Sequence, residues 1–208
     1  HRETLTLNQP DGTPIAGFEI LTVTPAQITI GRVEGPHPII SLNPSTVNIT
    51  VGEEFSIGVT VKDVTDLFGA SFELQFDDDL LEVVDIIAGD FMGADIVFFK
   101  MVGDNSLSIA SSRKAGAGEV SGSGRLTTIV FKGKGKGTTD ITFHKDTLSL
   151  VRSDSTPISG FERLTFQEAR ITAEFPRWDV NEDGVVDIFD LVLVGKHFGE
   201  NYRTIRAI

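Results

Sequence analysis

Apolar and polar residues alternate with period two over most of this chain. That is the pattern of strands with one face buried and the other in water. It runs through STVNITV (45–51), EFSIGVTVKDV (54–64), GASFELQFD (69–77), LLEVVDIIAG (80–89), DIVFFKMV (95–102) and SLSIASS (106–112). It continues through GRLTTIVFKGKG (124–135), TTDITFHK (138–145) and RLTFQEARITAEF (163–175). Gly, Asp, Asn and Pro punctuate the runs. About nine strands at this spacing predict an all-β, two-sheet sandwich. GPHPIISLNPS (35–45) reads as a linker running into a first strand, and the Gly-rich KAGAGEVSGSG (114–124) as a mobile surface loop. GKGKG (133–137) reads as a hairpin turn with solvated lysines, and Asp77–Asp79 as a solvated turn. The only helical spacing comes late: Ile188, Leu191, Val192 and Gly195 predict one short helix over IFDLVLVGKHFG, stopped at Gly199.

One segment occurs twice. TLTLNQPDGTPIAGFEILTVTPAQITI (4–30) aligns without a gap to TLSLVRSDSTPISGFERLTFQEARITA (147–173), with 15 of 27 positions identical. The second copy closes a sandwich-sized unit. The first therefore reads as closing strands without a body, from a tandem array or as a spare copy; a duplicated hairpin packed on the same domain is the other reading. Three parts follow: residues 1–34, a β segment repeating the closing strands; 35–176, the sandwich; and 177–208, a loop and helix.

The loop carries the most specific chemistry. In DVNEDGVVDIFD (179–190), Asp179, Asn181, Asp183, Val185, Asp187 and Asp190 fall at positions one, three, five, seven, nine and twelve, with Gly184 at six. This is the spacing of a calcium loop. Odd positions turn oxygens toward one centre, glycine permits the sharp turn, and Val185 would offer its backbone carbonyl. Hard oxygen donors in that number select Ca2+. Four carboxylates at ligand positions repel one another without an ion, so the loop is expected to order on binding it. The helix that follows presents Ile188, Phe189, Leu191 and Val192, more apolar surface than one helix can hide alone. It needs a partner surface, and these four residues are the candidate contacts.

Composition narrows the function classes. Net charge is −12 over 208 residues, which disfavours nucleic acid. No apolar run is long enough to span a bilayer. There is no cysteine, which excludes thiolate metal sites and disulfides. One Trp and one Tyr among 15 Phe count against a carbohydrate-binding module. His37, His144 and His197 are scattered and match no zinc or triad spacing. Asn48, in NIT, fits the glycosylation pattern. The chain opens on His1 without a signal-peptide pattern, as expected of a processed product.

Two stretches resemble known families. VGEEFSIGVTVKDVTDLFGASFELQFDDDLLEVVDIIAGDFM (51–92), followed by GRLTTIVFKGKGKGTTDITF (124–143), resembles a cohesin. DVNEDGVVDIFDLVLVGKHFGE (179–200) resembles one calcium repeat of a dockerin, the small module that docks on cohesins in cellulosome-type assemblies. The resemblance implies a nine-stranded jelly-roll sandwich, an extracellular or cell-surface location, and calcium-dependent recognition of a protein partner. Dockerins carry two such repeats; this chain shows one. Loop positions ten and eleven, often Ser or Thr in dockerins, are Ile188 and Phe189, which implies a more hydrophobic contact.

The resulting expectation is a non-catalytic assembly protein. Its calcium-loaded tail would dock on the sandwich of another copy, head to tail, giving a homo-oligomeric filament or surface layer. The alternatives are a scaffold fragment that binds dockerin-bearing polysaccharide-degrading enzymes, and a carbohydrate-binding module.

Overall fold

The computed structural model describes residues 20–24, 27–31 and 37–198. Two compact units divide the chain, residues 1–37 and 38–208. In the first, β1 (Ile20–Thr24) and β2 (Gln27–Gly31) form an antiparallel hairpin. The rest of that segment lies outside the described residues.

The second unit is a two-sheet sandwich. One sheet is built from β3 (Ile39–Asn43), β5 (Glu54–Leu67), β7 (Leu81–Ala88), β10 (Val120–Gly133) and β13 (Thr165–Gln167). Its order is β13-β3-β5-β10-β7. The other sheet contains β4 (Thr46–Thr50), β6 (Gly69–Gln75), β8 (Ile96–Gly103) and β9 (Ser106–Arg113). It also holds β11 (Gly137–Phe143), β12 (Ser149–Val151) and β14 (Ala169–Glu174), in the order β4-β14-β11-β6-β9-β8, with β12 beside β6.

Closure depends on strands that change sheet. RLTFQEARITAEF reads as one run, yet β13 lies in the first sheet and β14 in the second. β3 and β4 divide in the same way around Pro44. The two split strands run parallel to each other in both sheets, Thr165 opposite Ile39 and Arg170 opposite Thr46. The ends of the domain are thereby pinned together. β11 and β12 are likewise one interrupted partner of β6, broken by a 3-10 turn at Lys145–Thr147.

Phenylalanine supplies the aromatic part of the core. Phe131 is fully buried, stacked on Phe55 at 5.7 Å and edge-on to Phe76 at 5.5 Å. Phe143 meets Phe72 at 6.2 Å and Phe166 at 5.7 Å. A ring without a polar atom leaves nothing to satisfy in the dry space between sheets.

Two sequence expectations change. Ile39–Asn43 is no linker: Ile40 and Leu42 are fully buried core residues of β3. Half of the Gly-rich segment is strand, since β10 begins at Val120 and pairs with β5 through three register shifts. Glycine is needed there because a Cβ on Gly124 would come within 2.5 Å of the Phe91 ring. The turn lysines are exposed, as expected, and are also bonded. Lys134 Nζ donates to the Asp78 carbonyl, and Lys136 pairs with Glu182 at 2.8 Å and Glu174 at 3.8 Å. That ties the turn to the C-terminal loop.

Candidate functional site

The acidic loop folds around its own backbone. Asp179 Oδ1 accepts from the Asp183 amide (3.2 Å), and its Oδ2 from the Gly184 amide (2.8 Å). Those bonds wrap positions one to six into a tight turn, in which Glu182 and Gly184 take positive φ of 54° and 88°. Asn181 Oδ1 accepts from the Asp183 amide, and its Nδ2 donates to Asp183 Oδ2 at 2.7 Å. Asp183 Oδ1 accepts from the Val185 amide.

The end of the loop starts the helix. α1 spans Ile188–Lys196. Asp187 caps it by accepting from the Phe189 amide at 2.8 Å, and Asp190 reaches back to the Asp187 amide at 2.7 Å. This reciprocal pair is a capping box with Asp in both places. The other oxygen of Asp190 accepts from Val180 (2.7 Å) and Asn181 (3.2 Å), which clamps the start of the loop to the helix. The amide of Asp187, then those of Asn181 and Val180, hold its carboxyl below the usual carboxylate range.

Asp179 and Asp190 are 5% and 3% exposed, and among the described residues neither is in an ion pair. Two buried carboxylates in one turn without a cation are costly. No three acidic or His side chains among the described residues converge as a ligand cluster, because the carboxylates are turned onto backbone amides. Apart from the Asp190 oxygen that accepts twice, each of these carboxylate oxygens accepts one bond and retains a lone pair. The hard-oxygen donors and the two buried carboxylates fit a divalent cation such as Ca2+. Glu182 is solvent-exposed and pairs with Lys136, whose ammonium also sits 5.8 Å from the Phe175 ring.

The helix leaves its apolar side chains in water. Ile188, Phe189 and Leu191 are 63–66% exposed, and Val192 and Val194 nearly half exposed; Asp190 alone is buried. Leu191 and Val194 also border an apolar recess of about 400 Å³ with Trp178, Val180 and Val186.

A second exposed apolar surface lies on the sandwich. On edge strand β8, Val97, Phe99 and Met101 point outward with 57–61% exposure. Their cross-strand neighbours are small: Ser112, Ala110 and Ser108 on β9, then Gly69 and Ser71 on β6. The floor is therefore low. It forms a trough of about 260 Å³, walled by Val97 and Phe99 on one side and Val151 of β12 on the other.

The cohesin domain family matches residues 40–161 of this chain, more than half its length. The chain belongs to the cohesin family. Cellulose-binding protein A from Clostridium cellulovorans is 30% identical over 126 residues, 60% of this chain and 7% of that protein. The chain thus corresponds to a small part of its curated relative. Among solved structures, a non-cellulosomal cohesin from Archaeoglobus fulgidus superposes with a TM-score of 0.56 at 14% identity, covering 67% of this chain and 92% of that one. A cohesin in a type I cohesin–dockerin complex from Clostridium thermocellum gives 0.57 at 14%, covering 71% and 100%. These likenesses confirm the jelly-roll sandwich.

The cohesin trough was missed by the periodicity reading. Its signal is nevertheless present: IVFF (96–99) is apolar at four consecutive positions. In an edge strand that places greasy side chains on both faces, and no described residue covers one of them.

Proposed function

We propose that this cohesin is a non-catalytic extracellular assembly protein that polymerises head to tail through a calcium-dependent, cohesin–dockerin-type contact. The loop and helix of one copy dock on the β8–β9–β6 trough of the next. The observation that carries the reading is the coexistence, in one chain, of an exposed apolar helix and an exposed apolar trough, neither covered by any described residue. Each answers the other's need for burial. The helix supplies Ile188, Phe189, Leu191 and Val192; the trough supplies Val97, Phe99, Met101 and Val151. Because the two surfaces differ, their contact is heterologous and propagates.

Asp179, Asn181, Asp183, the Val185 carbonyl, Asp187 and Asp190 would hold the Ca2+. The ion would supply the positive charge that two buried carboxylates lack, and so would stiffen the turn that aims the helix. The chain's own residues do the rest: Asp187 and Asp190 cap the helix, and the Lys136–Glu182 pair tethers the loop to the sandwich.

A second reading is a scaffold fragment whose trough receives dockerins carried by polysaccharide-degrading enzymes. The solved relative in complex with a dockerin favours it. Light scattering separates the two. Under the first reading the purified chain forms large particles in millimolar calcium that fall to monomers in chelator. Monomers in both conditions, with capture of dockerin-bearing hydrolases, would favour the second.

A further inference from the structure

The duplicated segment points to a second mode of association, independent of the helix. In the sandwich, residues 147–173 are the closing segment: β12 runs beside β6, a turn follows, then β13 and β14 enter different sheets. Its anchors are buried. Leu150 is 0% exposed, Ile158 2%, Ala169 2% and Ile171 1%. At the corresponding places the N-terminal copy has Leu7, Ile15, Ala26 and Ile28, the same residue types. The half-buried Phe161 and Leu164 are matched by Phe18 and Leu21.

The turn chemistry is kept as well. Gly160 adopts φ of 77°, and its counterpart is Gly17; Ser155 adopts 68°, and its counterpart is Gly12, which reaches that region without strain. A segment selected only as a surface hairpin has no reason to keep these positions together.

The pairing described for the copy differs from that of its counterpart. Thr22 lies opposite Thr29 in the β1–β2 hairpin, whereas their counterparts Thr165 and Thr172 sit in different sheets. Among the described strands, β1 and β2 pair only with each other. A two-stranded ribbon is marginal alone and offers free backbone groups on both edges.

We propose that residues 4–30 are a closing segment for a second cohesin sandwich, entering the slot that residues 147–173 fill in this one. Two positions indicate that the preferred recipient is not identical to this sandwich: Ile30 stands where Ala173 is buried, and Val23 where Phe166 packs on Phe143. A recipient with more room beside one and less beside the other fits better.

The chain has no cysteine, so engineered pairs report the contact cleanly. Asp140 lies directly opposite Arg170, whose counterpart is Gln27. An acceptor chain carries Leu150→Asp and Ile171→Asp, to evict its own closing segment, Leu7→Asp and Ile28→Asp, to disable its copy, and Asp140→Cys. A donor chain carries Gln27→Cys, alone or with Ile30→Ala to match this slot. Under mild oxidation the proposal predicts a crosslinked donor–acceptor pair and recovery of a cooperative unfolding transition in the acceptor. The positive control is Arg170→Cys with Asp140→Cys in an otherwise native chain. A full chain in which the sequence of residues 4–30 replaces residues 147–173 should still unfold cooperatively. Failure of that chain to fold, or a folded replacement chain with no crosslink from either donor, overturns the proposal.

Discussion

Truncating Phe99 to Ala isolates the trough from the fold. The ring is 58% exposed and lies on the outer face of an edge strand, so its removal takes nothing from the core. A phenylalanine has roughly 150–250 Å² to bury, so a docked helix would cover about 100 Å² more of this one. At about 25 cal/mol per Å² that contact is worth roughly 2–3 kcal/mol. Ala retains a little of it, so the expected loss is about 2 kcal/mol, or roughly 30-fold in dissociation constant. Sedimentation velocity over a concentration series in calcium reads that shift directly. The thermal midpoint measured in chelator, where the proposed contact is undone, should stay within about 2 °C of the parent, since surface changes are usually within about 0.5 kcal/mol. An unchanged association constant would refute the assignment of the trough. A collapsed midpoint would show that the ring supports the sandwich instead.

Other consequences are distributed over the molecule. Asp190→Asn removes charge from the carboxylate that clamps the loop to the helix; calorimetry should show calcium affinity at least ~10-fold weaker, and equal affinity would remove Asp190 from the ligand set. Phe131→Ala opens a cavity beneath Phe55 and Phe76 and should cost about 3–5 kcal/mol in denaturant unfolding; a loss below about 1 kcal/mol would mean the sheets close over the gap. The Arg170 side chain, bonded to Asp140 at 2.7 Å, holds that carboxyl below its ordinary value; the Lys100 side chain lowers Asp85, and the amide and hydroxyl of Ser153 lower Glu119. Such groups bind fewer protons folded than unfolded, so their stabilisation is present above about pH 4 and is lost as pH falls through the depressed values. The thermal midpoint should therefore drop between about pH 4 and 2, and a midpoint that rises there would contradict these pairings.

How much of this was readable from the chain varies by element, for physical reasons. The strands with one wet face, such as β5 and β9, announce themselves because period-two alternation is a direct image of the pleat. The split closing strands do not. β13 and β14 read as one run because a strand can pass between sheets without any change in its alternation, and only the tertiary pairing divides it. The start of β10 was hidden for the opposite reason. Its glycines admit Phe91 and carry bulges, and glycine in sequence reads as loop. The tight turn of the acidic loop was legible from its glycine at position six, which takes positive φ there. The contact between Lys136 and Glu182 was not, since the two are 46 residues apart and nothing local marks the pairing. The trough was legible only as an excess of apolar residues in IVFF; the small residues that make its floor come from two other strands.

Head-to-tail assembly joins unlike surfaces end to end, and one mixing experiment addresses that directly. A chain with Leu191→Asp keeps its trough but loses its helix; a chain with Phe99→Asp keeps its helix but loses its trough. Each alone should be monomeric in calcium by light scattering. Mixed in equal amounts, they should form a dimer and nothing larger, because one good helix meets one good trough and both free ends are dead. Filaments from either variant alone, or a mixture that stays monomeric while the parent polymerises, would contradict head-to-tail assembly.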